Sequence, residues 1–201
     1  WAEAKGEKFD YGGSIIYALS MVTFMYALSV LPAMWGFWLI LLGLLGFVGF
    51  VMWETRLEYP IFNIGLFRSN TVFAFSNLAA LVNYSATSAV GFLMSLYLQY
   101  VKGFSPAHAG LILIAQPVIM VICSPLAGSL SDRMEPRIVA SIGMALTTLG
   151  LLILTFLGSG TSLGLILVSL FILGLGFGFF SSPNTNAVMG SVERKFYGVA
   201  S

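Results

Sequence analysis

The fold class this sequence predicts is an all-α integral membrane protein with six membrane-spanning helices. Three observations predict it. First, 58% of the 201 residues are hydrophobic and 8% are charged, against about 25% charged in an ordinary soluble domain, so the chain cannot build a water-facing shell. Second, six apolar segments, roughly 12–33, 36–53, 70–100, 105–127, 138–157 and 162–182, approach or exceed the ~20 residues that cross ~30 Å of hydrocarbon. Third, these runs are continuous, whereas a membrane β-barrel shows segments of about ten residues with alternating polarity. Helices satisfy their own backbone in lipid, so they are the spanning element.

Taken in order, the second span is short, and the third is long enough to tilt or to project beyond the bilayer. The third has no charged residue between Arg68 and Lys102. Between the second and third spans, ETRLEYPIFNIGLFRSN (54–70) is the longest polar connection. Its PIFNIGLF stretch is expected to lie at the interface as a short helix. Basic residues alternate along the chain. Lys5, Lys8, Arg56, Arg68, Arg133, Arg137, Arg194 and Lys195 all fall on connections of one side, and Lys102 alone falls on the other. The positive-inside rule then puts both ends of the chain, and the 128–137 connection, in the cytoplasm of a multi-pass cell-membrane protein. The chain opens on WAEAKGEKFDYGG without an initiator Met and closes on YGVAS, as expected of an internal piece of a longer protein.

Composition also excludes several functions. Cys123 is the one cysteine, so no internal disulfide or cysteine metal cluster can form, and it is expected to act as a small buried hydrophobe. There is no phosphate-binding loop, metal-ligand cluster or nucleophile with a base. Neither enzyme activity nor a cofactor nor a metal is therefore expected. The net charge of +1 gives no reason to expect a nucleic-acid partner. His108, after Pro106, reads as a helix-start residue, and Trp35, Trp38, Trp53, Tyr97 and Tyr100 sit near span ends as an interfacial aromatic belt.

Charge concentrates in GSLSDRMEPR (128–137). Gly128 lets the backbone turn or a neighbouring helix come close. Asp132 suits the positive end of a helix, and Arg133 and Arg137 suit anionic headgroups. The pattern of Gly128, Leu130, Ser131, Asp132, Arg133 and Arg137 resembles the signature loop of the major facilitator superfamily. The resemblance implies a conformational latch formed by Gly128, Asp132, Arg133 and Arg137. It departs from the family at Glu135 and Ile138, where a glycine and a second basic residue are usual, which weakens the positive charge.

The sixth span runs into GLGFGFFSSPNTNAVMGSVERKFYGVAS (174–201), similar to the matching stretch of drug:proton antiporters of the fourteen-helix branch. Gly174 and Gly178 form a small-xxx-small pair for close helix contact, and Pro183 can bend the helix. Asn184, Thr185 and Asn186 are placed to re-satisfy the freed carbonyls or to face water. The resemblance implies a layout of a 1–11 cytoplasmic linker, an inserted two-helix hairpin at 12–53 and a cytoplasmic loop at 54–69. Residues 70–201 would be the first four helices of the C-terminal half.

One face of the third span carries Asn77, Tyr84, Ser88, Gly91 and Ser95, with Asn83 and Thr87 alongside. Gln116 lies in the fourth span. In an uncharged span such a face turns toward a cavity or a partner helix, so Asn77, Asn83, Tyr84 and Gln116 are the candidates for lining a substrate path. Interhelical hydrogen bonding is the alternative role. No Asp, Glu, Lys or Arg lies at the centre of a predicted span. A proton site would then belong to helices outside this chain. The function implied is part of a secondary exporter of lipophilic or amphipathic compounds, working by alternating access, with the bilayer, a small lipophilic or cationic substrate and the remaining transporter helices as partners. A facilitator-type carrier of another solute, or a membrane scaffold without transport, are the alternatives.

Overall fold

The computed structural model describes residues 10–57 and 65–200. Among them, six helical stretches are long and apolar enough to span a membrane, and every regular element is helical. Contacts divide them into two units, which part between Thr71 and Val72 and between Val192 and Glu193.

The first unit contains α1 (Tyr11–Ser29), α2 (Met34–Glu54) and the five-residue α3 (Gly65–Ser69). α1 is closed by Asp10, whose carboxylate accepts from the Gly13 N–H at 2.9 Å and from Trp53 Nε1 at 3.1 Å. That one side chain ties the start of α1 to the end of α2. The buried residues of α1 are Gly13, Ser20 and Ala27, and those of α2 include Gly36, Gly43 and Phe50. Both sets repeat every seven residues, the period of a left-handed coiled pair. Small residues at those positions bring the backbones together, since a Cβ on Gly43 would stand 3.1 Å from the Phe24 backbone nitrogen. α1 stops at Ser29, earlier than the expected span, because Pro32 restricts the residue before it and removes a donor. Most of the expected interfacial stretch, residues 60–64, lies outside the described residues. The described remainder, residues 65–67, lies in the short helix Gly65–Ser69.

The second unit holds the long helices α4 (Thr71–Leu96), which continues as a π-helical turn over Tyr97–Val101, α5 (Pro106–Leu113), α6 (Ala115–Ser131), α7 (Pro136–Leu154) and α8 (Leu163–Gly190). In the first unit, beyond Val192, come a 3₁₀ turn (Arg194–Phe196) and α9 (Tyr197–Ala200). α5 and α6 are one span, interrupted at Ile114 because Pro117 has no N–H for the Leu113 carbonyl. The ladder resumes on either side, with Ile114 N–H on the Gly110 oxygen and Val118 N–H on the Ile114 oxygen, both at 3.1 Å. α8 runs to Gly190, eight residues past the expected end, and passes through Pro183 without a break.

α8 is the hub of this unit, with glycines on two faces. Toward α6, a Cβ on Gly174 would come within 2.5 Å of the Gln116 carbonyl, and one on Gly178 within 3.3 Å of Cys123 Cβ. Toward α7, a Cβ on Gly176 would stand 2.5 Å from the Thr147 nitrogen, and one on Gly143 2.7 Å from the Gly176 oxygen. In lipid, where apolar burial does not drive helices together, such close backbone packing is a main source of association. Cys123 is buried in the α6–α8 seam, as expected of a small hydrophobe.

At the end of the unit away from the 128–137 connection, Val90, Met94, Leu98, Ala109, Ile166, Leu170 and Leu173 form an apolar cluster joining α4, α5 and α8. Above it, Lys102 Nζ donates to the carbonyls of Ser159 (2.7 Å) and Thr161, and Tyr97 Oη donates to the Gly158 carbonyl at 2.8 Å. Gly103, with φ 73°, reverses the chain there, and the Ser105 hydroxyl caps α5 while sharing a hydrogen bond with the His108 ring.

Candidate functional site

Two places on the second unit gather the polar groups singled out by the sequence. One is a cleft of about 320 Å³ lined by Tyr84, Thr87 and Ser88 of α4, Gln116, Pro117 and Met120 of α6, and Phe177 of α8. It lies at mid-height, between the apolar cluster and the 128–137 end. Tyr84 is its fixed wall. Its ring meets Phe177 at 5.4 Å and Phe180 edge-on at 6.3 Å, and its hydroxyl lies 3.3 Å from Ser181 Oγ. Thr87 and Ser88 hydroxyls donate to carbonyls of their own helix, Asn83 at 2.8 Å and Ser85 at 3.1 Å. The walls are therefore mainly apolar and aromatic, with the Gln116 amide and the Tyr84 hydroxyl as polar points. No charged side chain is among the lining residues. Such a surface accepts flat or lipophilic molecules by contact area, with little demand for particular hydrogen bonds.

Of the four residues expected to line a path, the structure brings Tyr84 and Gln116 together in this cleft. Asn77 turns its amide onto its own helix, donating to the Phe73 carbonyl at 2.8 Å. Asn83 is buried, and its Oδ1 accepts no hydrogen bond among the described residues. The aliphatic and aromatic contributors Met120 and Phe177 carry no polar signature that sequence reading could catch.

The second place is the 128–137 segment. Gly128 does not turn the chain, because it lies within α6. It serves instead as a close-approach point, where a Cβ would meet Ser182 Oγ of α8 at 3.0 Å. The connection proper is short, from Asp132, which caps α6, to Glu135, which caps α7. Asp132, Arg133 and Arg137 are exposed. The Asp132 carboxylate accepts no hydrogen bond among the described residues, while Arg137 Nε lies 3.6 Å from Glu135 Oε1. That ion pair is solvent-facing and contributes less than about 1 kcal/mol. α8 reaches this segment through Asn186, whose Nδ2 donates to Ser131 Oγ at 2.8 Å. Of the polar groups after Pro183, Thr185 bonds the Ser181 carbonyl at 2.9 Å, not the Phe179 carbonyl that the proline leaves without its donor.

Residues 76–201 of this chain match the family model of the Major Facilitator Superfamily, which is well over half of its length. The chain belongs to the Major Facilitator Superfamily. Among curated members of this family of membrane transporters, it is 34% identical to the riboflavin transporter RibZ of Clostridioides difficile over 147 residues, 72% of this chain and 32% of that protein. It is 28% identical to the multidrug resistance protein Stp of Mycobacterium tuberculosis over 98% of this chain and 37% of that protein. With the tetracenomycin C resistance and export protein of Streptomyces glaucescens it shares 27% identity over 99% of its own length and 38% of the other's. The chain thus spans about a third of the length of these facilitator relatives.

Proposed function

We propose that this chain is part of a fourteen-helix secondary transporter that exports lipophilic or cationic compounds by alternating access, with the cargo path running along the α4–α6–α8 cleft. The observation that carries this reading is the cleft itself, aromatic, uncharged in its lining and anchored by Tyr84 and Gln116. Two export or resistance proteins align over 98% and 99% of the chain, which includes the 12–53 hairpin that the fourteen-helix layout inserts between its halves. On this reading residues 70–201 begin the C-terminal half, both ends of the chain face the cytoplasm, and proton coupling uses residues outside these 201. Asp132, exposed and without a partner among the described residues, is available as a latch to a helix end elsewhere in the whole transporter.

A second reading, a carrier of a larger polar ring system, is favoured by the 34% identity to a riboflavin transporter. Uptake assays separate the two. Inverted proteoliposomes of the full-length protein, given a proton gradient, should accumulate a lipophilic cation such as tetraphenylphosphonium. Accumulation of riboflavin alone would favour the second reading. Asp132→Asn should lower the rate about fivefold with membrane insertion unchanged, the equivalent of ~1 kcal/mol at a helix end. An unchanged rate counts against the latch.

A further inference from the structure

The contact between α6 and α8 continues past its glycines. Gly174, Gly178, Ser182 and Asn186 recur every four residues along one face of α8. The first three oppose Gln116, Cys123 and Gly128 of α6 respectively, at distances that leave no room for a larger side chain at Gly174. A seam of this kind is smooth. Small residues bring two helices close but offer no knob to oppose a slip along their common axis. Asn186 is different. Its Nδ2 donates to Ser131 Oγ at 2.8 Å, and the same hydroxyl donates onward to the Gly128 carbonyl at 2.8 Å. Ser131 is buried. Among the described residues this is the one side-chain to side-chain hydrogen bond joining α6 and α8, and it stands immediately before Asp132.

We propose that the Asn186–Ser131 hydrogen bond is the register lock of the α6–α8 seam, through which α8 positions the 128–137 connection during transport. Asn186 and Ser131 are positioning residues, distant from the cleft. The lock rests on the transporter reading for its consequence in turnover, but its effect on the seam is independent of any cargo. Without the Nδ2 donor, the seam samples neighbouring registers, and the Ser131 hydroxyl keeps only the Gly128 carbonyl of its own helix.

Cys123 is a built-in reporter, because it is buried in the same seam opposite Gly178. The test uses the full-length transporter with any cysteine outside these 201 residues replaced, and reads two quantities: the rate at which N-ethylmaleimide labels Cys123, and KM and Vmax for the transported cation. Asn186→Ala should raise labelling and lower Vmax by about threefold each, the factor that corresponds to an average interhelical hydrogen bond of ~0.6 kcal/mol in a bilayer, with KM unchanged. Ser131→Thr keeps the hydroxyl and should match wild type in both. Combining Asn186→Ala with Ser131→Ala should be no worse than the worse single variant, since both remove the same bond. If Asn186→Ala does not insert, Asn186→Leu, which is similar in size and has no hydrogen-bonding group, carries the same test. Wild-type labelling of Cys123 in either donor-less variant overturns the lock. A full-length protein that moves no cation, yet labels faster when Asn186 is replaced, overturns the transport reading and leaves the lock standing.

Discussion

Replacing Gly143 with leucine will prevent α7 from seating on α8. The Cβ alone would lie 2.6 Å from the Phe179 carbonyl carbon and 2.7 Å from the Gly176 oxygen, and it would also run into the Phe180 nitrogen. These are backbone atoms of the hub helix, so no rotamer change relieves the clash, and the helices must separate. Overpacking of a well-fitted core costs about 1–3 kcal/mol and occasionally more. Here the cost should reach or exceed the top of that range, because separation also forfeits the neighbouring approaches at Gly176 and Gly150. The expected outcome for the full-length protein in detergent is loss of the monodisperse peak on size-exclusion chromatography. Gly91→Ala, where an added Cβ meets nothing within 4 Å, should leave that peak intact. A monodisperse Gly143→Leu protein would contradict the packing described for α7 and α8.

The second large effect belongs to Tyr84. Its ring holds Phe177 and Phe180, and its hydroxyl reaches Ser181, so it both shapes the cleft and spans from α4 to α8. Aromatic pairs contribute about 0.5–1.5 kcal/mol each beyond their buried area. Tyr84→Ala should therefore raise the KM for a lipophilic cation about tenfold or more, whereas Tyr84→Phe, which keeps both ring contacts, should stay within about threefold. Kinetics of proteoliposome uptake check both. An Ala variant with an unchanged KM would move the cargo path away from this cleft.

The bilayer made much of this architecture readable in advance. A chain with so few charges has to hide its backbone in helices of about twenty residues, and hydropathy alone therefore placed six spans. The helix ends were less legible. Hydropathy ends the sixth span near residue 182 and Pro183 reads as a bend, yet α8 continues to Gly190. Proline is tolerated inside spanning helices whose neighbours pack around the freed backbone, and the Phe179 carbonyl group lies where α7 comes closest. The Gly174–Gly178 pair was visible as a period of four within one helix. Gly143, Gly150 and Gly176 were not singled out, since their role depends on which helix lies opposite, and one helix's periodicity names a face without naming its partner. The same limit applies to the polar stripe of α4. Asn77 and Tyr84 share a face seven residues apart, but Asn77 is satisfied by its own helix while Tyr84 reaches across to α8. Ser131 and Asn186 stood in two motifs read separately, and a hydrogen bond across 55 residues joins them.

Ser88 offers the most direct test that the cleft carries cargo. It is exposed and lines the cleft together with Tyr84, Phe177 and Gln116, and its own hydroxyl bonds only to its helix. In a full-length protein whose other cysteines have been removed, Ser88→Cys should react with a small maleimide. Tetraphenylphosphonium at about ten times its Kd should slow that reaction about tenfold, by occupancy alone. A Ser88→Cys protein that still transports the cation, but labels at the same rate with and without it, would contradict the placement of the cargo path along α4, α6 and α8.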